Sequence, residues 1–172
     1  MSIVKKWHSL SPSNRFLISY PIWFLTLFGI FYWGKYWDYS IIGKVVDSTI
    51  RDIIMAILEL FVNEPIVNYD IIMNPKYHIV ITPECNGLIP YFILLAAILA
   101  YPCSIKRKLL WLISTFFIFF IANIIRLITV IEVVRRFGAE SFYYIHDIGG
   151  NIFLVAVGSI LFLRYLKGCY EN

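Results

Sequence analysis

The sequence predicts an all-α integral membrane protein built as a bundle of about four transmembrane helices. Of its 172 residues, 60% are hydrophobic and 18% aromatic, and the mean hydropathy is +0.75. A soluble domain is roughly 45–50% apolar, and a chain this short cannot bury such an excess. Charged residues make up only 15% and cysteines number three, which disfavours a disordered chain and a disulfide scaffold. A net charge of +4, spread between apolar runs, also disfavours nucleic-acid binding.

Four apolar stretches predict the spans of one membrane domain covering residues 1–172. They run over about residues 16–33, 88–101, 109–131 and 148–166. A spanning helix needs about 20 residues. The second stretch is therefore short, and we expect it to cross with slight extension at its ends; a re-entrant segment is the alternative. The first stretch lacks a cleavage site and ends in Phe31-Tyr32-Trp33, which is typical of an interface belt rather than a signal peptide.

The basic residues predict how the chain is oriented in the membrane. They are Lys5, Lys6 and Arg15 before the first span, Lys106, Arg107 and Lys108 between the second and third, and Arg164 and Lys167 at the end of the fourth. The positive-inside rule places these flanks in the cytoplasm. We therefore expect a cytoplasmic-membrane protein with both termini inside and with residues 34–87 and about 132–147 outside. Arg135 and Arg136 are exceptions to this pattern.

The outer segment, residues 34–87, carries its own secondary-structure signals. Residues 42–61 predict an amphipathic helix that rests on the membrane or on the bundle, with partner binding as the alternative. Its expected apolar face consists of Ile42, Val46, Ile50, Ile53, Ile57 and Leu60, and its polar face of Lys44, Ser48, Arg51, Asp52 and Glu59. Further on, Ile66–Met73 and Tyr77–Thr82 flank the turn signal Asn74-Pro75, which predicts a small β-hairpin leading into the second span.

Arg126 is an ionisable residue inside the third span, where a charge costs at least ~2.5 kcal/mol and indicates function. It lies roughly 25 Å along the helix from Leu109, which places it near the outer leaflet. Asn123, one turn earlier, shares its face. The alternative is an arginine that extends its side chain to the outer headgroups.

Cys85 and His146 lie at the same predicted level as Arg126, at the outer ends of the second and fourth spans. Short connections make sequential helices neighbours, so the three side chains are expected to meet. Asn86 is expected to cap the second span, and the positive end of that helix would favour a Cys85 thiolate. Histidine can act as base and then as acid, and arginine can hold an oxyanion. This set suits acyl transfer through a thioester.

Simpler roles exist for the same residues. Cys85 could be a packing residue, as we expect for Cys103 and Cys169 on the predicted cytoplasmic side, and His146 could be an interface or capping residue beside Asp147. No metal or cofactor is expected, because the histidines show no pair at ligand spacing. These histidines are His8, His78 and His146.

At these residues the chain resembles the archaeosortase/exosortase family. The motifs that carry the resemblance are Thr82-Pro83-Glu84-Cys85-Asn86-Gly87-Leu88, Asn123-Ile124-Ile125-Arg126, and His146 ahead of Gly149-Gly150. The resemblance covers about residues 66–165. It implies a membrane cysteine transpeptidase that cuts a C-terminal sorting signal, made of a short motif, a transmembrane helix and a basic cluster, at the outer membrane face.

By motif, the resemblance implies that Cys85 is the nucleophile and that Arg126 and His146 complete the site. The residues expected to support them are Glu84, Asn86, Gly87, Asn123 and Asp147. The chain departs from the family pattern at Glu84 and Asn86, which flank the cysteine, and in having fewer visible spans. Glu84 would raise the thiol pKa unless a base pairs with it.

Other functions remain open from the sequence alone. One is a non-catalytic membrane scaffold in which Arg126 pairs with Glu132, Asp147 or a partner's carboxylate. Another is a different Cys-His acyltransferase that acts on lipid donors. A transporter is disfavoured because the chain has no inverted repeat. The acceptor, whether water, a lipid or a glycan, is also open, and with it the choice between hydrolysis and transfer.

Overall fold

The computed structural model describes residues 9–32, 40–75 and 77–170. Within these ranges the protein is an all-helical membrane protein with a small antiparallel sheet, as predicted. The α-helices are α1 (Pro12–Tyr32), α2 (Ile41–Phe61), α3 (Leu88–Ala100), α4 (Ile105–Phe137) and α5 (Gly150–Tyr170). The strands are β1 (Ile66–Val67), β2 (Asp70–Asn74) and β3 (Tyr77–Val80), with a 3-10 helix at Pro83–Asn86 and a π-helical segment at Tyr143–Gly149. The predictions for Lys5, Lys6, His8 and Trp33 fall outside the described residues.

Three of the described helical stretches are long and apolar enough to cross a bilayer. They are Pro12–Tyr32, Ile105–Phe137 and Tyr143–Tyr170. Helix α3, the predicted second span, has 13 residues and is about 20 Å long, less than the ~30 Å hydrocarbon core. Helix α4 has 33 residues and exceeds its predicted span at both ends, because charged flanks end a hydropathy pattern without ending a helix.

Helix α3 packs among the other spans, although it is the shortest α-helix described. It packs against α1, α4 and α5, with Leu94 and Ile98 in a core that also contains Leu154 and Tyr165. The Tyr165 hydroxyl donates to the Ile98 carbonyl at 3.1 Å. This packing fixes the start of α3, and therefore the residues just before it, relative to α4 and α5.

Helix α2 is the predicted amphipathic helix, but the buried face differs from the expected one. It packs against α1, α4 and the 3-10 helix. The residues it buries are Gly43, Asp47, Ile50, Ile54, Met55 and Leu58, whereas Ile42, Ile53 and Leu60 are exposed. Ile50 is buried, and Val46 and Ile57 pack against the core, as predicted. The prediction was wrong for the three exposed residues because it assigned faces by hydropathy alone, whereas Asp47 turns inward to a polar partner.

The three strands form one sheet in the order β1-β2-β3. The predicted hairpin is the β2–β3 pair, in which Ile71 lies opposite Ile79 and Asp70 opposite Val80. Asn74 Oδ1 accepts a hydrogen bond from the Tyr77 amide at 3.2 Å, which closes the turn. Ile71 and Ile79 are buried in the same core as Cys85, so the sheet packs beside the start of α3.

Cys103 and Cys169 form a disulfide, with 5.7 Å between their Cα atoms. Both were expected to be packing residues, and the disulfide shows that this expectation was wrong. The bond joins the α3–α4 connection to the end of α5, so it ties together elements far apart in sequence. Cys85 is free and buried.

Candidate active site

Cys85 lies in the one-turn 3-10 helix between the sheet and α3. Gly87 ends this turn with φ +76 and is the N-cap of α3, a left-handed conformation that glycine adopts without steric cost. Asn86 was predicted as the N-cap. It instead lies one residue earlier, where its Oδ1 accepts from the Leu88 amide at 2.7 Å. This geometry turns the chain so that the Cys85 thiol lies against the π-helical segment.

The Cys85 thiol is close to two polar side chains. Its Sγ lies 3.5 Å from His146 Nε2 and 3.5 Å from the Thr82 hydroxyl. Burial, which leaves the residue 4% exposed, is the largest single effect on the thiol and opposes ionisation. The hydrogen bonds with His146 and Thr82 together outweigh it and hold the pKa of Cys85 below its ordinary value. Thr82 was not predicted as a site residue, and its place in the motif was the only signal.

His146 is held in place by the residues around it in the π-helical segment. Its ring stacks on Phe142, with 4.7 Å between ring centroids, and its Nδ1 lies 2.7 Å from Asp147 Oδ1. When Nδ1 carries the proton and donates a hydrogen bond to Asp147, Nε2 is free to accept the thiol proton. The Cys85 thiol, the His146 imidazole and the Asp147 carboxylate therefore follow one another, an arrangement that suits a nucleophile, a base and an orienting group.

Arg126 and Asn123 lie behind the thiol, buried on α4. Asn123 Nδ2 donates to the Cys85 carbonyl at 2.9 Å. Arg126 Nη1 donates to Asn123 Oδ1 and Nη2 to the His146 carbonyl, each at 3.4 Å. Arg126 is 5% exposed, so its side chain stays in the bundle rather than extending to the headgroups. Its Nε has no hydrogen-bond partner among the described residues, which leaves one buried donor available.

Two glycines allow the side chains of α4 to approach this closely. A Cβ added at Gly87 would lie 2.9 Å from Asn123 Cγ, and one added at Gly150 would lie 2.4 Å from Arg126 Nε. Real Cβ atoms do not approach other atoms so closely, so larger residues at these positions would displace Asn123 or Arg126. Gly87 was a predicted supporting residue, whereas Gly150 entered the prediction only as part of a motif.

A buried carboxylate on α2 supports the cysteine turn from the opposite side. Asp47 is 3% exposed; its Oδ1 accepts from Asn86 Nδ2 at 2.6 Å, and its Oδ2 is paired with Arg51 at 2.8 Å. Asp47 was not among the predicted site residues. Glu84, a predicted supporting residue, is exposed, and in the described part of the chain it makes no ion pair with Arg126.

A cavity of about 460 Å³ opens onto the thiol and the imidazole. Its walls include Cys85 and His146, strand β3, and Phe142 and Asp147 from the segment that carries the histidine. Among the described residues, no group of three or more His, Cys, Asp or Glu side chains is arranged to hold a metal ion. The cavity has the size of a ligand pocket.

The fold and this geometry define a membrane protein in which a buried cysteine and a partly exposed histidine face a cavity. The chain matches the family model for transmembrane exosortases over residues 11–163, and it belongs to that family. It is 29% identical over 153 residues, 88% of this chain and 77% of the relative, to a probable archaeosortase E of Methanocaldococcus jannaschii. No solved structure matches the chain significantly.

Proposed function

We propose that this protein is a cysteine-dependent sorting peptidase or transpeptidase that cleaves membrane proteins at a C-terminal signal. The observation that carries the proposal is the 3.5 Å approach of Cys85 Sγ to His146 Nε2 at the wall of the cavity. Family membership supports a sorting function, and the depressed pKa of Cys85 supports a nucleophilic thiol.

In the proposed reaction, Cys85 and His146 act in successive steps. The Cys85 thiolate attacks a peptide carbonyl while His146 holds the proton, and His146 then gives that proton to the leaving amine. A thioacyl-enzyme remains on Cys85, and an acceptor nucleophile, deprotonated by His146, releases the acyl group. Arg126 supplies a permanent positive charge beside the developing oxyanion, and Asp147 orients the imidazole. The reaction needs no cofactor.

The proposed location is the cytoplasmic membrane, with both termini in the cytoplasm and the site facing outside. In that orientation, a substrate anchored by its own transmembrane helix presents the segment before the helix at the depth of Cys85. Its basic cluster stays in the cytoplasm, and binding of the remote helix positions the scissile bond.

The test is labelling of Cys85 by a membrane-impermeant thiol reagent in intact cells, with Cys103 and Cys169 replaced by Ser. We expect labelling from outside, with an apparent pKa below that of a free thiol, ~8.5, and at least tenfold slower labelling at pH 7 in His146→Ala. Tyr144→Ala, an exposed neighbour in the same segment, is the matched control and should label at the parent rate.

Each contrary result identifies a different error. Labelling only after permeabilisation would show that Cys85 faces the cytoplasm, so that the true orientation is the reverse of the proposed one. Ordinary reactivity that is indifferent to His146 and Arg126 would favour a scaffold. His146-dependent reactivity with lipid thioesters, without protein cleavage, would indicate a lipid acyltransferase.

A further inference from the structure

We propose that the free edge of strand β3 is the docking site for the substrate peptide, which binds as an added β-strand and presents its scissile bond to Cys85. This inference rests on the proposed function and deepens it, because it names the form in which substrate is recognised: an extended peptide read through its backbone.

Strand β3 lies at the edge of the sheet. The strand order is β1-β2-β3, so within the described residues β3 pairs on one side, with β2. An edge strand presents a row of backbone groups that can pair with another extended chain. Residues 77–80 span about 13 Å, enough to align a peptide of about four residues.

The cavity lies along this edge rather than over a face of the sheet. All four residues of Tyr77–Val80 line the cavity that contains Cys85 and His146. Side chains of a strand alternate between its two faces, so a cavity over one face would contact alternate residues. Contact with four consecutive residues places the free backbone edge against the cavity.

The register shows which backbone groups point into the cavity. The Ile81 amide donates to the Tyr69 carbonyl at 2.8 Å, so Ile81 faces β2. In an antiparallel pair this direction alternates, so the backbone groups of His78 and Val80 face the free edge. The Val80 carbonyl already accepts from the Thr82 amide at 3.1 Å. The His78 amide and carbonyl and the Val80 amide are therefore the groups that an added strand would bind.

The cavity also has apolar lining that peptide side chains could contact. Phe142, Val134 and Ala139 supply this lining. Side chains of an added strand point alternately to the two faces of the sheet, so those on the face that carries this lining would pack against it. Specificity in strand addition arises in this way, while backbone hydrogen bonds supply affinity. The strand leads through Thr82 to Cys85, so the end of the added peptide meets the thiol.

The test uses the full chain in lipid nanodiscs and a library of tetrapeptidyl chloromethyl ketones, which alkylate Cys85 with loss of chloride. Matched libraries carry one N-methylated backbone amide at each successive position. We expect the unmodified library to label Cys85 at least tenfold faster than chloroacetamide. Only every second amide of an added strand would face β3. N-methylation of those amides should abolish the tenfold rate advantage over chloroacetamide, and N-methylation of the amides between them should preserve it.

Val80→Pro removes the outward amide of β3 without removing a bond to β2, and edge strands tolerate proline. It should lower the ratio of the peptide labelling rate to the chloroacetamide labelling rate at least tenfold. Because the probe series is measured on the parent protein, the inference stays testable if this variant does not fold.

The outcomes separate the inference from the proposed function. Equal tolerance of N-methylation at every position, or no gain over chloroacetamide, would overturn strand addition even where labelling still depends on His146. Labelling that is indifferent to His146 would overturn the proposed function and this inference with it.

Discussion

At the scale of single residues, the state of Cys85 depends on a balance between burial and hydrogen bonding. Burial disfavours the thiolate, and the hydrogen bonds with His146 and Thr82 favour it strongly enough to lower the pKa of Cys85. Each residue that contributes a hydrogen bond should therefore shift the pH at which the thiol reacts.

Replacing Thr82 by Val should raise the pKa of Cys85, because the hydroxyl 3.5 Å from Sγ is lost. A hydrogen bond to a charged group contributes about 1.5–3 kcal/mol, and one pKa unit corresponds to about 1.4 kcal/mol. We expect the midpoint of alkylation against pH to rise by about one unit, so that labelling slows about tenfold near pH 7 and is unchanged at high pH. Thr82→Ser retains the hydroxyl and should retain the parent midpoint. An unshifted midpoint in Thr82→Val would show that Thr82 does not stabilise the thiolate.

At the scale of elements, the site depends on how closely α5 approaches α4. Gly150→Ala should displace Arg126, because the added Cβ would lie 2.4 Å from its Nε. Overpacking costs about 1–3 kcal/mol, and the displacement should also slow Cys85 alkylation. The control is Gly158→Ala on the same helix, where the nearest atom would be Phe119 Cε2 at 3.6 Å. Equal alkylation rates and melting temperatures for the two variants would refute the steric role of Gly150.

Helix α2 should position the cysteine turn through its buried carboxylate. Asp47→Ala leaves Asn86 Nδ2 and Arg51 without their acceptor, and a buried unsatisfied group costs about 1–3 kcal/mol. We expect a lower melting temperature and a changed pH profile for Cys85 alkylation. Glu59→Ala, at an exposed position on the same helix, should change neither. A parent-like pH profile in Asp47→Ala, with only the melting temperature lowered, would limit Asp47 to a structural role.

The parts of this fold that were predictable follow local patterns. Hydropathy runs indicated the helices, a turn signal indicated the β2–β3 hairpin, and equal depth brought Cys85, Arg126 and His146 together. Asp47 was missed because its partner Asn86 is 39 residues away, and no local pattern links them. The same long-range contact rotated the buried face of α2 away from the one that hydropathy favoured.

At the scale of the whole molecule, the disulfide lies far from the candidate site, and its position predicts what it does. In the proposed orientation Cys103 and Cys169 would lie on the cytoplasmic side, in a compartment where disulfides are rare except in hyperthermophiles. The bond lies at the opposite end of α3 from Cys85. It should therefore act on the stability of the bundle and leave the chemistry of the site unchanged.

Breaking the disulfide should lower stability without altering Cys85. The bond links residues 66 positions apart, and a loop of this length contributes about 4 kcal/mol in the chain-entropy description. We expect the Cys103→Ser/Cys169→Ser double variant to melt roughly 10 °C lower than the oxidised parent, and the reduced parent to match the double variant. The midpoint of Cys85 alkylation should be the same in all three. Equal melting of the oxidised and reduced parent would contradict a stabilising bond, and a shifted Cys85 midpoint would show that the two ends of α3 are coupled.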